Sequence, residues 1–448
     1  MSKSGVRNLT EGKIFKQLIQ LALPIMATGF IQMAYTLTDM AWVGRLGSRD
    51  VAAIGAVGIL TWLTTSLALL PKIAAEISIA QSIGAKRLDK AEKYASHTVT
   101  LSIIIGVAIA AMLITLAPFI IAFFKLDADI ALMATDYLRI VAVGIPFLYL
   151  AQTFSGVYNG AGRTTIPFYL MGTGLLCNMI LDPLMIFGVG PLEGMRTQGA
   201  ALATVISQVI VFALFVWQMK RSNGILNRFP YWVRLKKEYS LHIFKLGTPV
   251  ALMNCFMAAI SFVIARIASE YGGHLGVMSQ TTGGQIEGIT WNTTQGFSIA
   301  LATFVAQNFA AGKLERTRKA YRYTLISLLS LGVVVTFSFM VWGQEIFGIF
   351  VPEAEAKLAG GEYLFIVAFC QMFMMLETTT LGMWNGFGKT LPPAVVSVSL
   401  NLARIPLALW LAPQMGITGV WVAITITAIL KGIVSACWWR MTPVKALN

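Results

Sequence analysis

Residues 80–93 read AQSIGAKRLDKAEK, and residues 306–319 read AQNFAAGKLERTRK, one small, polar and basic pattern met twice at an offset of 226. YNGAGRTTIP, Tyr158 to Pro167, matches WNGFGKTLPP, Trp384 to Pro393, at the same offset. Pro24 in LALP and Pro249 in LGTP differ by 225, and the spacing of Asn178 to Pro183 returns in Asn401 to Pro406. The chain is an internal duplication, so its fold is one half used twice.

What surrounds these repeats is apolar. Of 448 residues, 56% are hydrophobic and 12% charged, with mean hydropathy +0.72, against roughly 25% charged in a soluble domain. That excludes a soluble enzyme. A membrane-crossing helix needs about 20 apolar residues. Breaks at charged or Gly/Pro-rich points leave twelve such stretches, starting near Ile14, Val51, Ala91, Ile130, Thr164, Gly199, His242, Leu275, Ala320, Leu358, Leu391 and Gly416. Six spans per half is an even number, so both copies enter from the same side. The expected fold is an all-α integral membrane protein, with twelve transmembrane helices in two six-helix lobes related by a parallel pseudo-two-fold along the membrane normal. The expected boundaries are an N-terminal lobe over 1–220, a cytoplasmic linker over 221–241 and a C-terminal lobe over 242–448.

The net charge of +14 invites a nucleic-acid reading, and the placement of the charge removes it. With both termini inside, most of the 34 Lys and Arg fall in inner segments, including Lys86, Arg87, Lys90 and Lys93, the run from Lys220 to Lys245, and Lys313 to Arg322. The outer loops hold only Arg45, Arg49, Lys125, Arg196 and Lys357. This is orientation charge, divided among short loops rather than gathered on one domain. The four cysteines, Cys177, Cys255, Cys370 and Cys437, are scattered through apolar runs with no metal-ligand or disulfide spacing. The first apolar stretch is too long for a signal-peptide core and lacks a small-residue cleavage site, so it reads as the first span.

TD-x-x-x-VG-x-LG at Thr38 to Gly47, the doubled [YW]NG-x-G-[RK]T turns, LDP at Leu181 to Pro183 and GAALAT at Gly199 to Thr204 together resemble the multidrug and toxic compound extrusion (MATE) transporters. The resemblance covers nearly the whole chain. It implies cation-driven antiport that exports cationic, amphipathic organic compounds across a bacterial or archaeal plasma membrane. It implies no enzyme activity and no cofactor, and the chain is expected to work as a monomer.

An ionisable side chain inside a span is costly and calls for a partner or a task. Asp39 lies near the outer end of the first span, with Gln32, Tyr35 and Thr36 on the same helical face. Asp182 sits at a similar depth in the fifth, with Asn178 one turn earlier. Two carboxyls sharing one cavity raise each other's proton affinity, as a proton carrier requires; the plainer reading is that each satisfies local backbone, Asp182 beside the Pro183 kink. In the resemblance, matching aspartates of archaeal and DinF-like members serve proton coupling. Gln152, Ser155 and Thr204 are further candidates for a cavity wall. Pro24 is either a hinge that bends the first span when the network is protonated or a static kink. Lys72 and Glu76 form an i, i+4 pair on the second span with a structural reading. In the C-terminal half Glu287, Glu377, Arg404 and Lys431 balance in charge, as an ion-pair network or with Glu287 or Glu377 as a second cation site.

Sodium-coupled MATE members are known for an acid on the seventh span. Here GTPVALMNCFMAAISFVIARIASE has none before Glu270, which favours the DinF-like, proton-driven branch over a sodium antiporter. A lipid-linked-precursor flippase of related architecture is the other alternative, but it would present basic residues where this chain has acids.

Overall fold

In lipid a backbone must satisfy its own hydrogen bonds, which restricts spanning segments to helices or closed barrels. The computed structural model is helical almost throughout. It describes residues 6–189, 192–222 and 224–442; the extreme termini, which the sequence reading places inside, lie outside the described residues. The order is α1 Ile14–Gly44, α2 Ser48–Gly84, α3 Leu88–Ala122, α4 Ala128–Gly160, α5 Thr165–Phe187, α6 Arg196–Arg221, α7 Ile225–Arg228, α8 Lys237–Ala310, α9 Leu314–Phe350, α10 Ala354–Gly386, α11 Leu391–Met415 and α12 Ile417–Met441. A two-residue antiparallel hairpin, β1 Gly188–Val189 and β2 Leu192–Glu193, links α5 to α6.

Among the described residues eleven helices are long and apolar enough to cross a bilayer. The longest, α8, has 74 residues and breaks at Gly273 (φ 54°, ψ −146°), so it supplies two spans. The seventh and eighth spans expected from sequence therefore meet at one glycine, and the all-α membrane architecture stands.

The duplication is written into the turns. After α4, Gly162 N–H bonds to Asn159 O at 2.9 Å and Arg163 N–H to Tyr158 O at 2.9 Å; after α10, Gly388 N–H bonds to Asn385 O at 2.8 Å and Lys389 N–H to Trp384 O at 3.0 Å. Each is a Schellman-type stop, and each needs a residue at φ +74°, which glycine supplies without strain. The YNG and WNG motifs are helix terminators.

By contacts the chain forms two compact units. The first comprises the segment ending at Leu9 together with Ala27–Ala251; the second comprises Thr10–Met26 and everything from Leu252. The chain thus changes unit twice inside helices, two residues after Pro24 in α1 and two residues after Pro249 in α8. In the first unit α4 is the central helix, packed by α2, α3 and α6, and its core is built on Phe154, Tyr158 and Phe215. Added methyl groups at Gly156 and Gly160 would strike the backbone carbonyls of Lys72 and Glu76, so α2 and α4 cross with main chains in contact, as small-xxx-small pairs permit. In the second unit α10 is central, packed by α9 and α12, over a core that includes Phe347, Leu364 and Trp421.

The link between the two six-helix halves lies along α3. Thr100 Oγ1 bonds Tyr231 O at 3.2 Å and accepts from Val233 N–H at 3.1 Å, and Lys236 N–H reaches His97 Nε2 at 3.3 Å.

Candidate functional site

Polar residues recur at helical spacing on five helices of the first unit, and they meet around a cavity of about 230 Å³. From α1 come Thr28, Gln32 and Tyr35; from α2, Thr61 and Thr65; from α4, Gln152; from α5, Asn178; from α6, Thr204, Ser207 and Gln208. Leu148, Met171, Leu175 and Val211 supply apolar surface between them. Among the described residues no charged side chain is on the wall. Such a mixture of apolar area with a few convergent polar groups is the usual make-up of a small-molecule site.

Of the residues singled out in the sequence, Gln32, Tyr35, Gln152, Thr204 and Asn178 line this cavity. Thr36 and Ser155 are outside the wall: Thr36 turns its hydroxyl onto Gln32 O at 3.0 Å, and Ser155 is buried in the α4 packing. Thr28, Thr61, Thr65, Ser207 and Gln208 were not anticipated. Their signal was present as Thr28, Gln32 and Tyr35 at i, i+4 and i+7, and as Thr61 with Thr65 at i, i+4.

The two aspartates stand behind the wall rather than on it. Asp182 is fully buried. Its Oδ1 accepts from Asn178 Nδ2 at 3.0 Å, and among the described residues its Oδ2 has no hydrogen-bond partner. Asp39 is half-buried, and Asp182 lies in its electrostatic field. The Tyr35 hydroxyl bonds the Thr204 side chain and feels both carboxylates, as does Tyr137 on α4, which sequence reasoning passed over. Asn178 therefore touches the acid with its amide nitrogen while lining the cavity.

On α2, Lys72 Nζ donates to Gln152 Oε1 at 2.9 Å, with Glu76 in its field. The partner is thus a residue 80 positions away on α4, in addition to the neighbour one turn along.

In the second unit the four charges separate into two arrangements. Lys431 Nζ pairs with Glu377 at 3.1 Å, both largely buried. Glu287 is held by neutral donors, Tyr363 Oη at 2.6 Å and Gln371 Nε2 at 2.9 Å. Arg404 bonds Thr427 Oγ1 through Nε at 3.0 Å and lies in the field of both acids. Pro24 lies inside an uninterrupted α1.

The MatE family model matches residues 24–184 and 249–410, one match in each half. "Probable multidrug resistance protein NorM" of Thermotoga maritima is 26% identical over 94% of this chain and 90% of its own. The "FAD transporter" of Shewanella oneidensis is 24% identical over 98% and 97%, and "Multidrug export protein MepA" of Staphylococcus haemolyticus is 23% identical over 92% and 90%. Among solved structures, a MATE crystallised with MaL6 superposes with TM-score 0.90 at 22% identity, covering 100% of this chain and 99% of that one. A MOP superfamily transporter from Pyrococcus furiosus gives 0.89 at 23%, with 98% of each covered. With its duplicated halves each matched in turn, this chain belongs to the MatE family of multi-pass membrane transporters.

Proposed function

We propose that the protein is a proton-driven antiporter of the plasma membrane, with both termini inside, that exports amphipathic organic molecules bearing a positive charge. The observation that carries this reading is the placement of Asn178, which lines the cavity while holding a buried carboxylate whose second oxygen has no partner among the described residues. A proton on Asp182 Oδ2 removes a buried charge and changes what the carboxyl offers Asn178. An ionised carboxylate only accepts, whereas a protonated one also donates. Proton and substrate thereby act on one amide. Asp39, coupled to Asp182 through space, shares the proton site, and Pro24 is the point at which α1 bends as that site changes state.

The relatives named for multidrug resistance and export support drug-like cargo, and the flavin-nucleotide carrier among them supports a broad chemical range. The seventh span has no acid before Glu270, which supports the DinF-like, proton-driven reading over a sodium-coupled one. Glu377 is engaged by Lys431 and Glu287 by the donors of Tyr363 and Gln371, which supports coupling through the first unit.

Proteoliposomes loaded with a fluorescent lipophilic cation test the reading. Export should follow an imposed pH gradient, and Asp39→Asn should abolish it at normal expression. Export driven by a sodium gradient alone, or wild-type rates in Asp39→Asn, would overturn it.

A further inference from the structure

The two helix crossings related by the duplication allow a comparison within one chain. Gly156 and Gly160 meet the carbonyls of Lys72 and Glu76; at the offset of 226, Gly382 and Gly386 meet those of Ser298 and Ala302. Gln152 corresponds to Thr378 at the same offset, and there a serine hydroxyl does what the lysine does here: Ser298 Oγ donates to Thr378 O at 2.8 Å. The crossing therefore closes without any charge. A buried ammonium in the first unit, costly in a span, is not required by the packing.

What the ammonium does is fix an amide. Lysine only donates, so the Gln152 oxygen must face Lys72 and its NH₂ must face away. Gln152 lines the cavity, and its Nε2 has no protein partner among the described residues. At the α5 wall the polarity is reversed: Asn178 gives its NH₂ to Asp182 and leaves its carbonyl oxygen without a protein partner among the described residues. The cavity thus carries a donor wall backed by a cation and an acceptor wall backed by an anion.

We infer that Lys72, acting through Gln152, is a specificity-determining positioning residue that makes the cavity select dipolar substrates, with an anionic oxygen for the α4 wall and a cationic group for the α5 wall, zwitterions before simple cations. The inference rests on the reading of this cavity as the substrate site and narrows its cargo. Lys72 does not touch the substrate; it orients and polarises the group that does.

The test is equilibrium binding to the purified full-length protein in detergent, with no ion gradient, so that a failure of proton coupling leaves the result intact. The probes are the fluorescent zwitterion N-methylquinolinium carboxylate betaine and its methyl ester, a cation of nearly equal size. The parent chain should bind the betaine more tightly. Lys72→Met should weaken betaine binding by about tenfold or more, as expected for a hydrogen bond to a charged group, with the ester nearly unchanged, and Lys72→Arg should restore the preference. Gln152→Glu, which satisfies Lys72 but offers no N–H, should invert the preference toward the ester; it decides the matter should Lys72→Met fail to fold. Equal binding of the two probes by the parent chain, or an unchanged preference in Gln152→Glu, overturns the inference alone. Binding of neither probe overturns it together with the assignment of the cavity as substrate site.

Discussion

Asn178 donates to Asp182 across 3.0 Å within one turn of α5, and among the described residues the other oxygen of that fully buried carboxylate faces no donor. Asp182→Asn reproduces the shape of the protonated side chain without its titration. It should keep substrate binding and lose export driven by a pH gradient. Asn178→Ala should instead leave both oxygens unsatisfied, at a cost of about 1–3 kcal/mol, visible as a lower melting temperature in detergent. Gradient-driven export at the parent rate in Asp182→Asn would detach this acid from coupling.

The Glu377–Lys431 pair is buried on both sides, so removing one partner strands the other. Glu377→Gln should destabilise the protein by about 3–5 kcal/mol, whereas the double change Glu377→Met with Lys431→Met should stay close to the parent. Thermal unfolding of the purified variants measures both. A single variant as stable as the parent would mean that the pair is hydrated.

At Gly156 and at Gly382 a new Cβ would strike a main-chain carbonyl of the facing helix, and a backbone cannot turn aside as a side chain can. Gly156→Ala and Gly382→Ala should each lose at least about 1–3 kcal/mol through overpacking, seen as reduced monodisperse yield on size-exclusion chromatography. Gly58→Ala, inside α2 with open space around it, should behave as the parent.

Each proline that precedes a change of unit interrupts helical hydrogen bonding where α1 or α8 passes from one compact body to the other. Pro24→Ala and Pro249→Ala should both raise thermal stability and slow export, because a straighter, stiffer helix resists bending. Raised stability with unaltered export rates would reduce the prolines to fixed kinks.

The fold was legible because its signals are local. Hydropathy and glycine-bearing turn motifs mark where helices stop, and the YNG and WNG turns close with the same bonds. Partnership between helices was not legible. The i, i+4 spacing points Lys72 at Glu76, and nothing along the chain indicates Gln152, 80 residues on. Glu287 could be recognised as an acid in a span, but its holders, Tyr363 and Gln371, are identified only by the folding of α8 onto α10. Hydropathy likewise records that α1 is one span and is blind to its division between two bodies after Met26. The cavity was found in part, since Gln32, Tyr35 and Asn178 flank conspicuous acids, whereas Thr61 and Thr65 flank none.

With a single glycine out of helical geometry between two bilayer-length rods, the turn at Gly273 has no slack. A displacement of the end of the rod before it must carry the adjoining end of the rod after it, so the two are joined as the arms of a crank are at its pin. Epitope tags or protease sites inserted there would uncouple the crank and should silence the protein even where it still reaches the membrane.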